Sequence, residues 1–206
     1  MSTIYLVRHG QTEFNVARLY QGQRVDGLLT DLGRSQATAI GQFLKSKNLQ
    51  FVFVSPQQRA LTSVGIILDQ VNSKPGQNSS QKTLEYSVID SFKEMDHGAL
   101  EGKNVEAVRE LLPELDPRSV AAPYKYFSPY PQGESFKDVF VRVSGAAEVV
   151  KNLNSNLAIV SHRLVTPMIM CAILDLDPTN HLERFLDNDE IIQIDTDSKE
   201  WKIIKF

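Results

Sequence analysis

The chain has 206 residues, of which 42% are hydrophobic and 23% are charged, and its formal net charge at pH 7 is −3. These values lie near the averages for globular proteins, argue against disorder, and fit one domain with a sizeable core. There is no long basic run and no run of about 18 apolar residues, so we expect neither nucleic-acid binding nor a membrane span.

Short apolar runs alternate with amphipathic stretches in the first third of the chain. Ile4 to Val7 predicts a first strand, followed by a loop that reaches Gly27. Thr30 is a favoured N-cap residue and begins a predicted helix with apolar residues on one face. Phe51 to Val54 predicts a buried second strand, and Arg59 to Val71 has the spacing of a second helix.

The middle third is less regular. Asn72 to Lys82 is polar and rich in turn formers, which predicts a mobile surface loop. Leu84 to Ile89 predicts a third strand, and Asn104 to Leu112 a short helix that the following proline ends. The segment from Pro113 to Gly133 is rich in proline and aromatic residues, and a loop of this length in a compact domain usually serves a function.

The last third returns to the alternating pattern. Ser135 and Asp138 have the spacing of a capping box and begin a long predicted helix. Leu157 to Val160 predicts a fourth strand, and Val165 to Leu174 a further helix. The segment from Ile191 to Phe206 has the two-residue period and turn of a hairpin.

This order of elements predicts the α/β class. We expect a three-layer α/β/α sandwich with a mainly parallel sheet, helices on both faces and an antiparallel edge contributed by the terminal hairpin. Residues 1–206 are expected to form a single domain with a small cap-like insertion at about 95–135.

Four polar residues follow the four predicted strands. His9 comes directly after the first strand, Arg59 lies in the first turn of the helix after the second, Glu94 follows the third shortly, and His162 ends the fourth. Because the carboxyl ends of parallel strands meet at one edge of a sheet, we expect these side chains to lie close together.

The chemistry of this cluster points to phosphoryl transfer. Arg8 and Arg59 carry planar guanidinium groups that suit phosphoryl oxygens, and their charge lowers the pKa of His9. A neutral imidazole is a nucleophile, while a partly desolvated Glu94 can donate a proton to a leaving oxygen and later accept one from water. The residues therefore predict metal-free phosphoryl transfer through a histidine intermediate.

Five segments resemble, in order, the motifs of the histidine phosphatase superfamily, the phosphoglycerate mutase-like proteins. They are Leu6 to Thr12, Ser55 to Thr62, Glu94 to Gly102, Gly133 to Ser135 and Ile159 to His162. The resemblance covers essentially the whole chain and is to the broad-specificity and alpha-ribazole-type phosphatases within that superfamily.

This resemblance implies a phosphoglycerate mutase-like fold and a metal-independent histidine acid phosphatase-type hydrolase with no cofactor. It implies that His9 becomes phosphorylated and that Glu94 is the proton donor. The residues that it implies for phosphate or substrate binding are Arg8, Asn15, Gln21, Gly22, Arg59 and His162.

The chain departs from the family pattern at a few positions. Gln11 replaces a frequent Glu, Phe14 a frequent Trp, and Leu28 a usual Pro, and none of these touches the expected chemistry. Arg163 follows the second histidine, where glycine is usual. Its side chain either crowds the pocket or adds a cation to it, and the sequence leaves both alternatives open.

Other phosphatase chemistries fit the sequence less well. Cys171, the only cysteine, has Asp177 six residues on where a cysteine phosphatase needs arginine. The Asp-rich segment Asp175 to Thr179 lies too near the end of the sequence to be an aspartyl-nucleophile motif. A dinuclear metal site needs clustered ligands, and His97 and His181 are instead expected at the surface.

A phosphatase is preferred over a phosphoglycerate mutase-type phosphotransferase. The only basic residues between Pro113 and Gly133 are Arg118 and Lys125, few for a trianionic substrate, and the aromatic residues there favour an apolar or ring-bearing leaving group. A catalytically silent phospholigand-binding protein is a further alternative, which the presence of both His9 and Glu94 disfavours.

The expected partner is a small-molecule phosphate ester, with no nucleic acid, no membrane and an undetermined oligomeric state. The sequence starts without a signal-peptide pattern, and one cysteine cannot form an intramolecular disulfide, so we expect a cytoplasmic protein.

Overall fold

A computed structural model describes residues 2–73, 83–111, 132–178 and 185–206. Its strands are β1 (Thr3–Arg8), β2 (Phe51–Val54), β3 (Tyr86–Val88), β4 (Leu157–Ser161), β5 (Glu190–Asp195) and β6 (Trp201–Lys205). Its α-helices are α1 (Glu13–Val16), α2 (Asp31–Leu44), α3 (Gln58–Asn72), α4 (Val105–Leu111), α5 (Phe136–Lys151) and α6 (Val165–Leu174). Two 3-10 turns, Asp90–Phe92 and Gly98–Leu100, lie between β3 and α4.

The six strands form one sheet in the order β3-β2-β4-β1-β5-β6. The four strands from β3 to β1 are parallel, whereas β5 pairs antiparallel with β1 and β6 antiparallel with β5. The predicted fold class is therefore confirmed, including the antiparallel edge formed by the hairpin.

Side chains along the central strands point alternately to the two faces of the sheet and pack into two hydrophobic cores. Ile4 and Leu6 of β1 belong to one core, with α5 and α6, while Tyr5 and Val7 belong to the other, with α2 and α3. All five residues of β4 are buried, because helices cover the sheet on both faces. The predicted three layers are thus present, with β1 and β4 at the centre.

The predicted helix starts agree with the structure. The Thr30 side chain accepts a hydrogen bond from the Gly33 amide, and Ser135 and Asp138 form the capping box expected for α5. The short helix α1 was not predicted, since its four residues were assigned to a loop. Thr12 and Asn15 form a second capping box at its start.

Some predictions lie outside the described residues. Most of the turn-rich tract, nearly all of the Pro113 to Gly133 segment with its four aromatic residues, and His181 are among them. The third strand is shorter than predicted, at Tyr86–Val88. Among the helices of the described part of the chain, none is long and apolar enough to cross a membrane.

Candidate active site

Two hydrogen bonds of the His9 main chain hold this residue at the carboxyl end of β1. Its amide donates to the Ser161 carbonyl at the end of β4 (3.1 Å), and its carbonyl accepts from the Asn188 side chain (2.7 Å). The next residue crosses α2 at close range, because a Cβ on Gly10 would lie 2.2 Å from the Gly33 carbonyl oxygen. Any larger residue at position 10 would therefore displace the His9 backbone.

The hydrogen bonds of His9 determine which ring nitrogen carries the proton. Nδ1 lies 2.8 Å from the Gly10 carbonyl oxygen, which can only accept. In the neutral ring Nδ1 is thus the protonated nitrogen, and Nε2 keeps its lone pair. Burial, followed by the charges of Arg59 and Arg8, holds the pKa of His9 well below its usual value, so the ring is neutral at pH 7.

His162 packs against His9, with ring centroids 5.2 Å apart, and its own proton position follows from a chain of hydrogen bonds. The Gln57 Oε1 atom accepts from the Glu94 amide (3.1 Å) and from the Ser55 hydroxyl (2.5 Å). The Ser55 proton is thereby used, so Ser55 accepts from His162 Nε2 at 2.6 Å. In the neutral ring Nδ1 is therefore the nitrogen without hydrogen.

Burial is also the main cause that lowers the pKa of His162 well below its usual range, with the Arg59 charge next. Its Nδ1 atom has no hydrogen-bond partner within the described part of the chain. A buried nitrogen without a partner is costly unless a ligand or water satisfies it. This atom is thus suited to a polar ligand beside His9.

Two arginines are buried in the same cluster. Arg8 donates from Nη1 to the Leu186 carbonyl (3.0 Å), and its pKa is lowered to about 10 by burial and then by repulsion from Arg163, so it remains a cation at pH 7. Arg59 donates to Asp26 (2.9 Å) and to the Gly22 carbonyl (2.9 Å). These contacts orient the guanidinium group and leave further N–H donors on each.

Glu94 supplies a buried carboxyl group whose pKa is raised above its usual value. Burial raises its pKa, against the opposing effects of the Met95 amide bond (2.8 Å to Oε1) and the arginine charges. Arg142 fixes its backbone by donating to the Glu94 carbonyl (3.1 Å) while forming an ion pair with Glu134. The Glu94 carboxyl group is therefore desolvated, which is the condition that the sequence analysis set for its role in proton transfer.

A cavity of about 600 Å³ opens beside His9. Of the predicted site residues, it is lined by Arg8, His9, Asn15, Gln21 and Glu94. The remaining three do not line it. Arg59 and His162 are nonetheless buried in the same cluster, and the Gly22 carbonyl contacts Arg59.

The three residues expected to add phosphate contacts also have structural contacts. The Asn15 side chain accepts from the Thr12 amide (3.1 Å), and Gln21 accepts from the Thr12 hydroxyl (2.8 Å) while donating to Asp26. A Cβ on Gly22 would lie 2.2 Å from a Glu101 carboxylate oxygen. These positions hold the loop after β1 against the site.

The outer wall of the cavity carries two ion pairs. Arg18 pairs with Glu106, and Arg163 pairs with Asp187 at 3.2 Å. The Arg163 guanidinium also lies over the ring of Phe185, 5.5 Å from its centroid. Arg163 thus adds a cation to the cavity wall, one of the two alternatives that the sequence left open.

The expectation that His97 lies at the surface is wrong. It is only 4% exposed, lines the cavity and packs on Tyr20 with ring centroids 5.1 Å apart. Its amide lies 3.3 Å from the Glu101 carboxylate, and burial lowers its pKa to about 3. Its burial results from contacts between irregular segments, which the sequence pattern does not encode.

Several supporting residues were not predicted. Gln57 joins the second histidine to the Glu94 backbone, Asp26 orients Arg59, and the Arg142–Glu134 pair lies behind Glu94. Gln57 and Glu134 fall within the quoted motifs, so their position was visible in the sequence, but their roles depend on contacts between separate loops.

Several known proteins are similar to this chain. The family model described as the histidine phosphatase superfamily (branch 1) matches residues 4–206. Phosphoserine phosphatase 1 of Hydrogenobacter thermophilus is 33% identical over 180 residues, covering 86% of this chain and 78% of that protein. A 2,3-bisphosphoglycerate-dependent phosphoglycerate mutase of Allorhizobium ampelinum is 38% identical over 143 residues, covering 68% of this chain and 63% of that protein.

Among solved structures, the alpha-ribazole phosphatase from Shigella flexneri superposes with a TM-score of 0.76. The superposition covers 98% of this chain and 95% of that one at 22% sequence identity, which establishes a shared fold.

Proposed function

This chain belongs to branch 1 of the histidine phosphatase superfamily, and from that premise we propose that it hydrolyses small-molecule phosphate monoesters through a phosphohistidine on His9. The observation that carries the proposal is the hydrogen bond from His9 Nδ1 to the Gly10 carbonyl. It leaves an unprotonated Nε2 in a ring that lines the cavity, and a neutral imidazole nitrogen is the nucleophile that this reaction needs.

In the first step the His9 Nε2 lone pair attacks phosphorus while the ester P–O bond breaks. The Glu94 carboxyl group gives its proton to the leaving oxygen, a role supported by the raised pKa of this buried group. The Gly10 carbonyl accepts from Nδ1–H and so stabilises the positive charge that develops on the ring.

In the second step water attacks the phosphohistidine. The Glu94 carboxylate takes a proton from the water as the new P–O bond forms and the P–N bond breaks. This releases inorganic phosphate, restores the His9 lone pair and returns the proton to Glu94. The proposed reaction assigns metal and cofactor no role.

We assign the binding of the phosphoryl oxygens to Arg8, Arg59 and His162. Further contacts to the phosphate are assigned to Asn15, Gln21 and the Gly22 backbone. Both arginines are buried, where charge-assisted hydrogen bonds are strong. His162 donates from Nδ1 only after it takes up a proton, and dianionic phosphoryl oxygens next to the ring favour that uptake.

We also assign residues 95–135 to a cap over the site within a single domain. The described part of this segment contributes His97, Val105, Glu106 and Arg109 to the cavity wall. The prediction of an apolar or ring-bearing leaving group rests on aromatic residues outside the described ranges, and it stays a prediction.

The test is hydrolysis of p-nitrophenyl phosphate in the presence of a chelator. We expect activity in wild type and a loss on the order of 10⁴- to 10⁶-fold in His9→Ala, the range seen when a nucleophile is removed. Ser35→Ala, a change on the exposed side of α2, is the control for effects of purification and storage and should keep the wild-type rate. Equal rates in wild type and His9→Ala would refute the proposal.

The alternative is a phosphotransferase, which the similarity to a phosphoglycerate mutase favours. An assay primed with bisphosphoglycerate separates the two. We expect phosphate release from esters without interconversion of 2- and 3-phosphoglycerate, whereas fast interconversion would assign the chain to the mutases. No turnover of either kind, with intact folding, would favour a silent phospholigand-binding protein.

A further inference from the structure

Gln57 begins helix α3, yet its side chain makes no contact that supports the helix start. It occupies the N-cap position, where a side chain usually accepts a hydrogen bond from an amide of the first turn, and it makes no such bond. The side chain instead contacts the Ser55 hydroxyl (2.5 Å), the Glu94 amide (3.1 Å) and the Gly22 carbonyl (3.4 Å). Gln57 is therefore directed toward the buried cluster around His9.

The orientation of the Gln57 amide group is determined by two backbone groups. The Glu94 main-chain N–H can only donate, and the Gly22 carbonyl can only accept. The atom that faces Glu94 is therefore the Gln57 oxygen, and the atom that faces Gly22 is the nitrogen. A flipped amide would place donor against donor and acceptor against acceptor. The position of the Gln57 acceptor is thus defined by its surroundings.

The Ser55 hydroxyl has its one proton and both lone pairs in use. It donates to Gln57 Oε1, an atom that cannot donate in return. His162 Nε2 lies 2.6 Å from the hydroxyl oxygen, and the Gln57 main-chain N–H donates to it at 3.4 Å. A hydroxyl offers one donor and two acceptor sites, so Ser55 has no proton left for the ring. Ser55 can only accept from His162.

One nitrogen of His162 is consequently committed to Ser55. Nε2 carries a hydrogen in the neutral ring as well as in the charged ring, and Nδ1 gains one only when the ring becomes a cation. Nδ1 is buried without a partner in the described part of the chain, in a ring whose centroid lies 5.2 Å from that of His9. His162 can therefore donate to a bound anion only after it takes up a proton.

The charged groups around His162 oppose this proton in the free protein. Burial is the first cause that lowers the pKa of the ring. The groups that lower it further are Arg59 of α3, His9 and Arg8 at the end of β1, and Arg142 of α5. Arg163, the next residue in the chain, is paired with Asp187, and the Glu94 carboxyl group accepts from the Met95 amide. An anion beside the ring supplies the charge that favours protonation.

We propose that Gln57 and Ser55 are positioning residues that make the binding of a dianion at this site take up a proton on His162. Gln57 orients the hydroxyl, the hydroxyl selects the Nε2–H form of the ring, and Nδ1 is left to be protonated when the phosphoryl group binds. A charged donor holds phosphoryl oxygens more strongly than a neutral one. This inference rests on the proposed function and deepens the role given there to His162.

The chain offers a matched set of substitutions. Gln57→Leu removes the acceptor and frees the Ser55 proton, so the hydroxyl can donate to Nε2 and the neutral ring can carry its hydrogen on Nδ1. Gln57→Glu has nearly the same shape and keeps an acceptor oxygen. Ser55→Ala removes the hydroxyl itself. Gln58→Leu is the control, since this neighbouring exposed glutamine donates to Thr62 within its own helix.

The experiment records nitrogen NMR spectra of protein labelled at its histidines, with and without sulfate, a dianion that does not titrate near neutral pH. The spectra show which ring nitrogens carry hydrogen, and His162→Gln identifies the His162 signals. In wild type we expect hydrogen on Nε2 alone without sulfate and on both nitrogens with sulfate. Gln57→Glu and Gln58→Leu should give the same two patterns, whereas Gln57→Leu should place hydrogen on Nδ1 in the free protein.

The affinity for sulfate, measured by calorimetry at several pH values, gives a second readout. Uptake of one proton makes the Kd of sulfate rise by up to tenfold per pH unit above the pKa of the bound ring. Ser55→Ala leaves the contact between Gln57 and Glu94 in place, so its comparison with wild type isolates His162. We expect a pH dependence that is flatter by about one proton in Ser55→Ala and in Gln57→Leu. A variant that is merely less well folded would bind sulfate more weakly by the same factor at every pH.

Several outcomes would overturn this inference. Hydrogen on Nδ1 of His162 in the free wild type, or a ring that stays neutral with sulfate bound, would do so even if no variant folded. Identical spectra and slopes in wild type and Gln57→Leu would do the same, as would a wild type that binds no sulfate. None of these measurements needs turnover, so the phosphatase proposal is decided separately by the assay with p-nitrophenyl phosphate.

Discussion

The cavity has a buried floor and an exposed, charged wall, and these two regions hold their side chains differently. The floor is the buried cluster around His9, of which Arg8, His9 and Glu94 line the cavity while Arg59 and His162 do not, and none of these five residues is more than 6% exposed. The wall residues are Arg18, Glu106, Arg163 and Asp187, which form exposed ion pairs. A buried charge without a partner costs several kcal/mol of stability, whereas an exposed ion pair contributes only about 0–1 kcal/mol and can be broken at little cost. The proposed chemistry thus relies on side chains held in fixed, buried contacts, whereas the wall carries charges whose partners can change.

Removing the acid from the floor should have the largest effect among the changes considered next. Glu94→Gln is expected to lower kcat by about 10²- to 10⁴-fold for alkyl phosphates, since positioned acids contribute on that scale. p-Nitrophenyl phosphate should lose less, because its leaving group needs no proton. A series of esters with leaving groups of graded pKa measures this difference.

An equal loss for every ester in the series would contradict the acid role of Glu94. Met95→Leu, a conservative change at the next buried residue, is the matched control and should leave the dependence on leaving-group pKa unchanged.

Replacing one arginine of the floor and, separately, one arginine of the wall by methionine tests the comparison directly. Arg59→Met is expected to lower kcat for p-nitrophenyl phosphate on the order of 10²- to 10³-fold, as for other buried transition-state contacts. Arg59→Lys should recover little, since lysine lacks the planar donor pair that contacts Asp26 and Gly22.

Arg18→Met should change the same rate by less than about fivefold, because its ion pair is exposed. Asp26→Asn separates orientation from charge, since it alters the partner of Arg59 and keeps the guanidinium. Similar losses in Arg18→Met and Arg59→Met would show that floor and wall do not differ in the way described.

A smaller effect concerns stability against acid. His97 has a pKa of about 3 in the folded chain and is neutral there above that pH, whereas in the unfolded chain the imidazole has its ordinary pKa of about 6.5. The folded state is therefore stable against this titration above pH 6.5 and loses about 1.4 kcal/mol per pH unit below it, until the pKa of about 3 is reached.

His97→Gln should thus flatten the pH dependence of the unfolding free energy between pH 6 and 4 by about one proton. Urea unfolding at several pH values measures this slope. Met95→Leu, which removes no titratable group, should shift stability by the same amount at every pH. An unchanged slope in His97→Gln would mean that His97 is protonated in the folded chain.

The sequence predicted the floor better than its surroundings. The four side chains predicted to be functional follow four strands, and parallel pairing brings the strand ends to one edge, so their cluster follows from periodicity and order alone. The buried position of His97 and the contacts of Gln57 arise between loops far apart in the chain, where no period exists. The helix α1 is too short for periodicity, and only Thr12 and Asn15 marked it.

The central claim is that His9 carries the phosphoryl group during turnover. The most direct measurement quenches the reaction of a radiolabelled monoester with base in the steady state and maps the labelled peptide. We predict a label that is stable in base, labile in acid, located on His9 and lost in His9→Ala. Label on another residue, or phosphate release at the normal rate without any labelled protein, would contradict the account.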